Sequence, residues 1–252
     1  MGALTLKTPA EIESMRQGGK ILGSILRELG TLVEPGATPL DVEYRAAELF
    51  EKYQVTPGFS GYKGYPNICC IAANDHLVHA IPTDKPFQKG DLVKIDCGCI
   101  LDDLYTDAAI SVVAGGEEAA SATTRNLSAA TKKALNLAIR LVKPGTKVGD
   151  LSHIIQKTVE NAGFSVVHEL TGHGVGYSLH EEPTILNYGK KGTGIALKPG
   201  MTFAIEPIVT AGERFIQTLD DRWTIATRDG SWGCQWEHTV LVTENGHEIL
   251  TA

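Results

Sequence analysis

With 252 residues, 42% of them hydrophobic and 21% charged, the chain carries enough apolar material to bury a core and has an ordinary globular composition. A net charge of −7 argues against a basic nucleic-acid groove, and no apolar run approaches the roughly 18 to 20 residues of a membrane span. The N-terminal stretch lacks a signal-peptide core. Five cysteines (Cys69, Cys70, Cys97, Cys99, Cys234) form no zinc-type C-x-x-C pair, so a cytoplasmic protein with reduced, buried thiols is expected.

Thr8-Pro9-Ala10-Glu11 is a helix start, with Thr8 as N-cap, Pro9 at the first helical position and Glu11 closing a capping box. Ile12, Met15, Leu22, Ile25, Leu26 and Leu29 then keep helical spacing. Thr38-Pro39-Leu40-Asp41 opens a second helix, whose apolar face continues through Tyr44, Ala47 and Phe50. Strand-like runs at Leu92–Ile100 and Ala108–Val113 flank the turn-rich Leu101-Asp102-Asp103-Leu104. Helical patterns return over 121–142 and 149–162, with Gly163 as the stop. Further strand-like runs fall at Met201–Val209 and His238–Thr243. Helices followed by strands predict an α+β fold with antiparallel strands and the helices segregated on one face.

The chain is also written twice. LVEPGATPLD at 32–41 is echoed by LVKPGTKVGD at 141–150, an offset of 109. The run from His79 to Thr83 is echoed by His180 to Thr184, and Gly90 to Asp96 by Gly200 to Glu206. Three matches in one order predict two similar halves, roughly 1–115 and 120–252, sharing one domain that spans 1–252.

Four carboxylates interrupt apolar strands, where charge is rarely left unpaired: Asp96, Asp107, Glu206 and Glu237. A hairpin folded between residues 101 and 102 sets Asp96 opposite Asp107, with Cβ atoms about 5 Å apart. Charges that close repel unless a cation bridges them. The repeat places Glu206 where Asp96 lies in the first half. His173, in Thr171-Gly172-His173-Gly174-Val175-Gly176, supplies a nitrogen among glycines that leave room for a ligand. Oxygen donors with one imidazole suit Co, Mn, Fe(II) or Zn. Cys97 and Cys99 lie on the other strand face by parity, so they are not expected to be ligands.

GYKGYP (Gly61–Pro66), VHAIP (Val78–Pro82), the aspartates of KID and TDAA, TGHGVG, LHEEP (Leu179–Pro183), LKPGMTFAIEP (Leu197–Pro207) and QWEHT (Gln235–Thr239) occur in an order and spacing that resemble the methionine aminopeptidases. The short bacterial type I form, within the pita-bread metallopeptidases, is the nearest in pattern, since the 33 residues from His173 to Glu206 leave no room for the type II insertion. The resemblance implies a fold of two pseudo-symmetric halves and removal of the initiator methionine from nascent proteins when the second residue is small. It implies two divalent metal ions held by Asp96, Asp107, His173, Glu206 and Glu237, with Asp107 and Glu237 as bridges. Glu206 acts in addition as a proton shuttle, and His79 and His180 contact the substrate. The methionine pocket maps onto Phe59, Tyr62, Tyr65, Cys70, Leu179 and Trp223. The partners implied are N-terminal peptide segments, met at the ribosome surface near the exit tunnel, with the chain acting as a monomer and neither membrane nor specific nucleic-acid recognition. Ala80 and Thr106 stand where the family usually has glycine, Leu179 where some relatives carry Phe, and Gly233 where some carry Ser near a monovalent cation. Two rival readings are an Xaa-Pro peptidase of the same fold, which normally needs a further N-terminal domain, and a non-catalytic binding module, which is expected to have lost ligands.

Overall fold

Helices form where the sequence sets caps and apolar stripes. In the computed structural model, which describes residues 4–252, the first two are α1 (Pro9–Gly30) and α2 (Pro39–Tyr53). Both begin with a capping box, predicted for the first: the Thr8 and Thr38 side chains accept from the N–H of Glu11 and Asp41, whose carboxylates accept from the cap N–H groups. Later come α3 (Ala122–Leu141), capped by Ser121, and α4 (Val148–Asn161), which ends just before Gly163 at φ 84°.

The strands ahead of α3 are β1 (Thr56–Pro57), β2 (Cys69–Ala73), β3 (His76–Val78), β4 (Leu92–Leu101) and β5 (Leu104–Val113). Those beyond α4 are β6 (Ser165–Val166), β7 (Thr171–Gly174), β8 (Glu181–Leu186), β9 (Thr202–Ile205), β10 (Ile208–Thr210), β11 (Ile216–Thr218), β12 (Ile225–Thr227), β13 (Gly233–Gln235), β14 (His238–Val242) and β15 (His247–Ile249). β4 pairs with β1, β2 and β5, and a second sheet runs β15-β14-β9-β7-β8. Two three-stranded sheets, β13-β10-β6 and β11-β12-β3, complete the antiparallel set. The predicted α+β class is what the molecule adopts.

Each helix pair covers one main sheet. Leu22, Leu29, Leu49 and Phe50 of α1 and α2 pack on Val93, Ile95, Cys97 and Cys99. Leu127, Leu135 and Ile155 of α3 and α4 pack on Phe203 and Val240. Burial of each such side chain contributes about 1.5 to 3 kcal/mol. Because strand side chains alternate, Asp96 and Asp107 point away from the helices, toward the second sheet. There, Thr239 of β14 stitches the sheets together: its Oγ1 accepts from the Asp107 N–H (2.9 Å) and donates to the Asp107 carbonyl (2.8 Å). The repeated strings make matching turns. Gly36 (φ 95°) and Gly145 (φ 88°) precede α2 and α4, while Gly90 (φ 92°) and Gly200 (φ 84°) precede β4 and β9.

Three details depart from expectation. The apolar face of α2 runs through Val42, Ala46, Leu49 and Phe50, leaving Tyr44 and Ala47 exposed. Leu101 faces Leu104, and the loop is Asp102-Asp103, both at positive φ (52° and 62°). That is the type I′ conformation that matches strand twist. Asp96 therefore pairs with Ala109 and Asp107 with Gly98, so the carboxylates are diagonal neighbours on one face rather than directly opposed. The run Met201–Val209 is also two strands. Pro207 has no N–H to donate. At that point the chain leaves β14 and β7, which flank β9, for β13 and β6, which flank β10. All five cysteines are buried and free. No helix among the described residues is long and apolar enough to cross a membrane.

Candidate active site

The five expected ligands line a single cavity of about 270 Å³. Asp96 comes from β4, Asp107 from β5 and His173 from β7, whereas Glu206 follows β9 and Glu237 follows β13. Ligand atoms of Asp107, His173 and Glu237 lie within 4.8 Å of one another. His173 Nε2 is 3.5 Å from Glu206 Oε1 and 3.8 Å from Asp107 Oδ2. Its Nδ1 sits 3.0 Å from the Gly174 carbonyl, which can only accept, so the lone pair falls on Nε2 and faces the carboxylates. The Gln235 amide donates to Asp96 Oδ2 (3.0 Å) and reaches Glu237 Oε2 (3.4 Å).

The electrostatics call for a cation. Burial, opposed by hydrogen bonds from Gln235 and the Cys97 N–H, lifts the Asp96 carboxyl to about 7. Burial together with the neighbouring acids drives Asp107, Glu206 and Glu237 well above the usual carboxylate range. Burial also depresses His173 to about 4, which keeps its imidazole neutral and able to ligate. Asp96 Oδ1, Asp107 Oδ1 and Glu237 Oε1 are buried with no hydrogen-bond partner. Orphaned buried oxygens are rare in native proteins, and these three belong to residues that line one cavity. The donor set fits a hard or borderline divalent metal, for which mutual repulsion of the carboxylates becomes attraction.

His79 and His180 open onto the same cavity. The His180 ring stacks on Tyr62 and lies 4.2 Å from the His173 ring, with Nδ1 2.9 Å from the Tyr62 hydroxyl. Desolvation within the cleft, then His173, Lys63 and His79, push it down to about 3. Desolvation and then Lys63 lower His79 as well. His79 sits at φ 55°, an uncommon conformation for a non-glycine residue. The chain beside it is fixed by the Tyr65 hydroxyl, which donates toward the carbonyls of Ala80 (2.9 Å) and Cys69 (3.0 Å). Phe59, Tyr65, Cys70 and Leu179 form one buried apolar cluster, with Tyr62 and Trp223 packed against it. All six expected pocket residues therefore meet.

Some of the site escaped the sequence reading. Tyr105 and Ile81 join the apolar cluster, and Lys63 and Glu169 line the cavity. Tyr105 carried a usable signal, because it lies two residues before Asp107 on the same strand face. Gln235, the last residue of β13, stands two residues before Glu237. Thr106, expected beside the site, instead faces Gly18 of α1, and Ala80 is buried.

Residues 13–244 match the model of metallopeptidase family M24. Methionine aminopeptidase 1 of Bacillus subtilis is 40% identical over 245 residues, covering 97% of this chain and 98% of that one. The chain belongs to the methionine aminopeptidases of family M24. The crystal structure of the methionine aminopeptidase from Thermotoga maritima superposes with a TM-score of 0.96 at 44% identity, over 99% of both chains. A prolidase from Pyrococcus furiosus shares the pita-bread fold at a TM-score of 0.78 and 26% identity, but the match spans only 65% of that chain. Full-length agreement with M24 methionine aminopeptidases, together with a complete acidic cluster, disfavours both rival readings.

Proposed function

We propose that this cavity hydrolyses the first peptide bond of chains that begin with methionine. The observation that carries the reading is the junction of two surfaces in one cavity: an acidic cluster with orphaned oxygens, and an apolar wall of aromatic, thiol and leucine side chains. Asp96, Asp107, His173, Glu206 and Glu237 would hold two divalent ions, of Co, Mn, Fe(II) or Zn. Such ions, when bound, supply Lewis acidity and lower the pKa of water toward neutrality.

The remaining work falls to the protein. The apolar wall takes the methionine side chain, whose thioether fills irregular space well. Glu206, which faces the cavity beside His173, would take the proton from the attacking water and pass it to the leaving amine. Desolvation keeps His180 neutral, and in the tautomer whose Nδ1 accepts from the Tyr62 hydroxyl its Nε2–H would donate to the scissile carbonyl or the developing tetrahedral oxygen. His79, also neutral, offers a second donor from the adjacent wall. A small second residue suits the crowding between these rings and the acidic cluster. The whole chain would act as one catalytic domain of two similar halves. It would work as a cytoplasmic monomer that meets nascent chains at the ribosome surface. Cleavage of a Met-Ala-Ser peptide, measured beside an Ala-Pro peptide with bound metal quantified, tests the assignment: the first should be cut and the second spared. Preference for Ala-Pro would overturn it.

A further inference from the structure

The segment ahead of α1 holds a buried cation that the reaction does not use. Lys7 is 5% exposed. Its Nζ lies 2.6 Å from Glu181 Oε2, also donates to Thr5, and sits 4.8 Å from the centre of the Tyr177 ring. The Lys7 N–H donates to the Gly200 carbonyl at 2.8 Å, which anchors the segment from its backbone side. A Cβ on Gly176 would lie 2.1 Å from Lys7 Cε, so glycine at 176 is what admits the lysine stem.

Glu181 passes this anchorage to the cavity. Its Oε2 takes Lys7 and Thr5, while its Oε1 accepts from the Ser178 N–H at 3.0 Å. The carboxylate thus clamps the loop 178–181 across its own ends, and Ser178 Oγ donates to the His180 carbonyl at 3.0 Å. Between the clamped ends lie Leu179, a wall of the apolar pocket, and His180. On the other side, Tyr177 donates to Glu11 at the start of α1 (2.9 Å), and the Gly176 carbonyl accepts from the Tyr105 N–H (2.7 Å). An ion pair whose side chains are 0% and 7% exposed holds fixed geometry in a way surface pairs do not.

We infer that Lys7 is a positioning residue: through Glu181 it fixes the loop that presents Leu179 and His180 to the substrate. This rests on the reading of His180 as a substrate-contacting group. Small displacements of such groups cost rate steeply, by up to about 10²-fold per ångström. Lys7→Met should therefore lower kcat on a Met-Ala-Ser peptide by about tenfold or more, with metal content unchanged. Lys7→Arg should recover most of the loss, since it restores a cation to Glu181. Lys7→Met with Glu181→Gln avoids a stranded buried carboxylate, so it reports on positioning should the single variant fold poorly. The decisive comparison sets Lys7→Met in a His180→Ala background. If Lys7 acts through His180, its substitution there should cost little further rate. An undiminished kcat in Lys7→Met and in its combination with Glu181→Gln, or a loss that multiplies fully with that of His180→Ala, would overturn the inference. Full activity of His180→Ala alone would instead remove the reading of His180, and Lys7's role with it.

Discussion

Lys94 is 1% exposed, and among the described residues no carboxylate pairs with it. Its Nζ donates to the carbonyls of Asn74 (2.8 Å) and Leu92 (3.3 Å), and burial depresses it from 10.5 to about 7. A depression of that size corresponds to on the order of 5 kcal/mol. Methionine matches its volume, and neither carbonyl would be orphaned: Asn74 O still accepts from the Gly233 N–H (2.9 Å) and Leu92 O from the Asn74 N–H (2.9 Å). Below pH 7 the folded protein carries a buried ammonium that the variant lacks, so Lys94→Met should be the more stable there. Between about 7 and 10.5 the unfolded lysine keeps a proton that the folded one has lost. Wild-type stability then gains about 1.4 kcal/mol per pH unit from this group, and the variant gains nothing. The advantage of Lys94→Met should shrink by about 2 kcal/mol from pH 7 to pH 9, since the folded lysine is already half deprotonated at pH 7. Urea unfolding of both proteins at pH 7, 8 and 9, with matched metal, measures this. The acidic cluster titrates in both chains and cancels in the difference. A stability difference independent of pH would refute the reasoning.

Substitutions within the site separate ligands from donors. Glu237→Ala should lose bound metal together with activity, as measured by metal analysis and peptide cleavage. His79→Ala should keep its metal and lose rate by about 10²-fold; an empty site in the purified variant would make His79 a ligand instead. Leu179, 2% exposed in the apolar cluster, leaves a smaller wall than a phenyl ring would. Leu179→Phe should raise the methionine-over-ethionine ratio in kcat/KM by a graded amount, since one methylene is worth about 1 to 3 kcal/mol of discrimination. A flat ratio with unchanged metal would place Leu179 outside the contact.

What the sequence revealed follows from how local each signal is. Thr8 and Thr38 announce helices because capping is settled within four residues. Asp96 and Asp107 were visible as ligand candidates because charge inside an apolar strand has few bland explanations, and parity put them on one face. Their register was misread because the turn type depends on the backbone of Asp102 and Asp103, where two aspartates accept positive φ less obviously than Asn-Gly. The break at Pro207 was written in the sequence, yet the surrounding apolar run masked it. β6, β11 and β15 have only two or three residues, too few to show a period. The Lys7–Glu181 pair joins residues 174 apart, and Gln235 reaches across 139 residues to Asp96. No spacing rule links such positions, which is why the buried cation under the His180 loop emerged only with the fold.

The claim on which everything else depends is that the carboxylates around His173 are there to hold metal. Cleavage of Met-Ala-Ser by one preparation, followed through chelation, verified metal removal and reloading, tests it most directly. Activity should vanish with the metal and return when Mn, Co or Fe(II) is added back. Full activity in a sample shown to be metal-free would contradict the account.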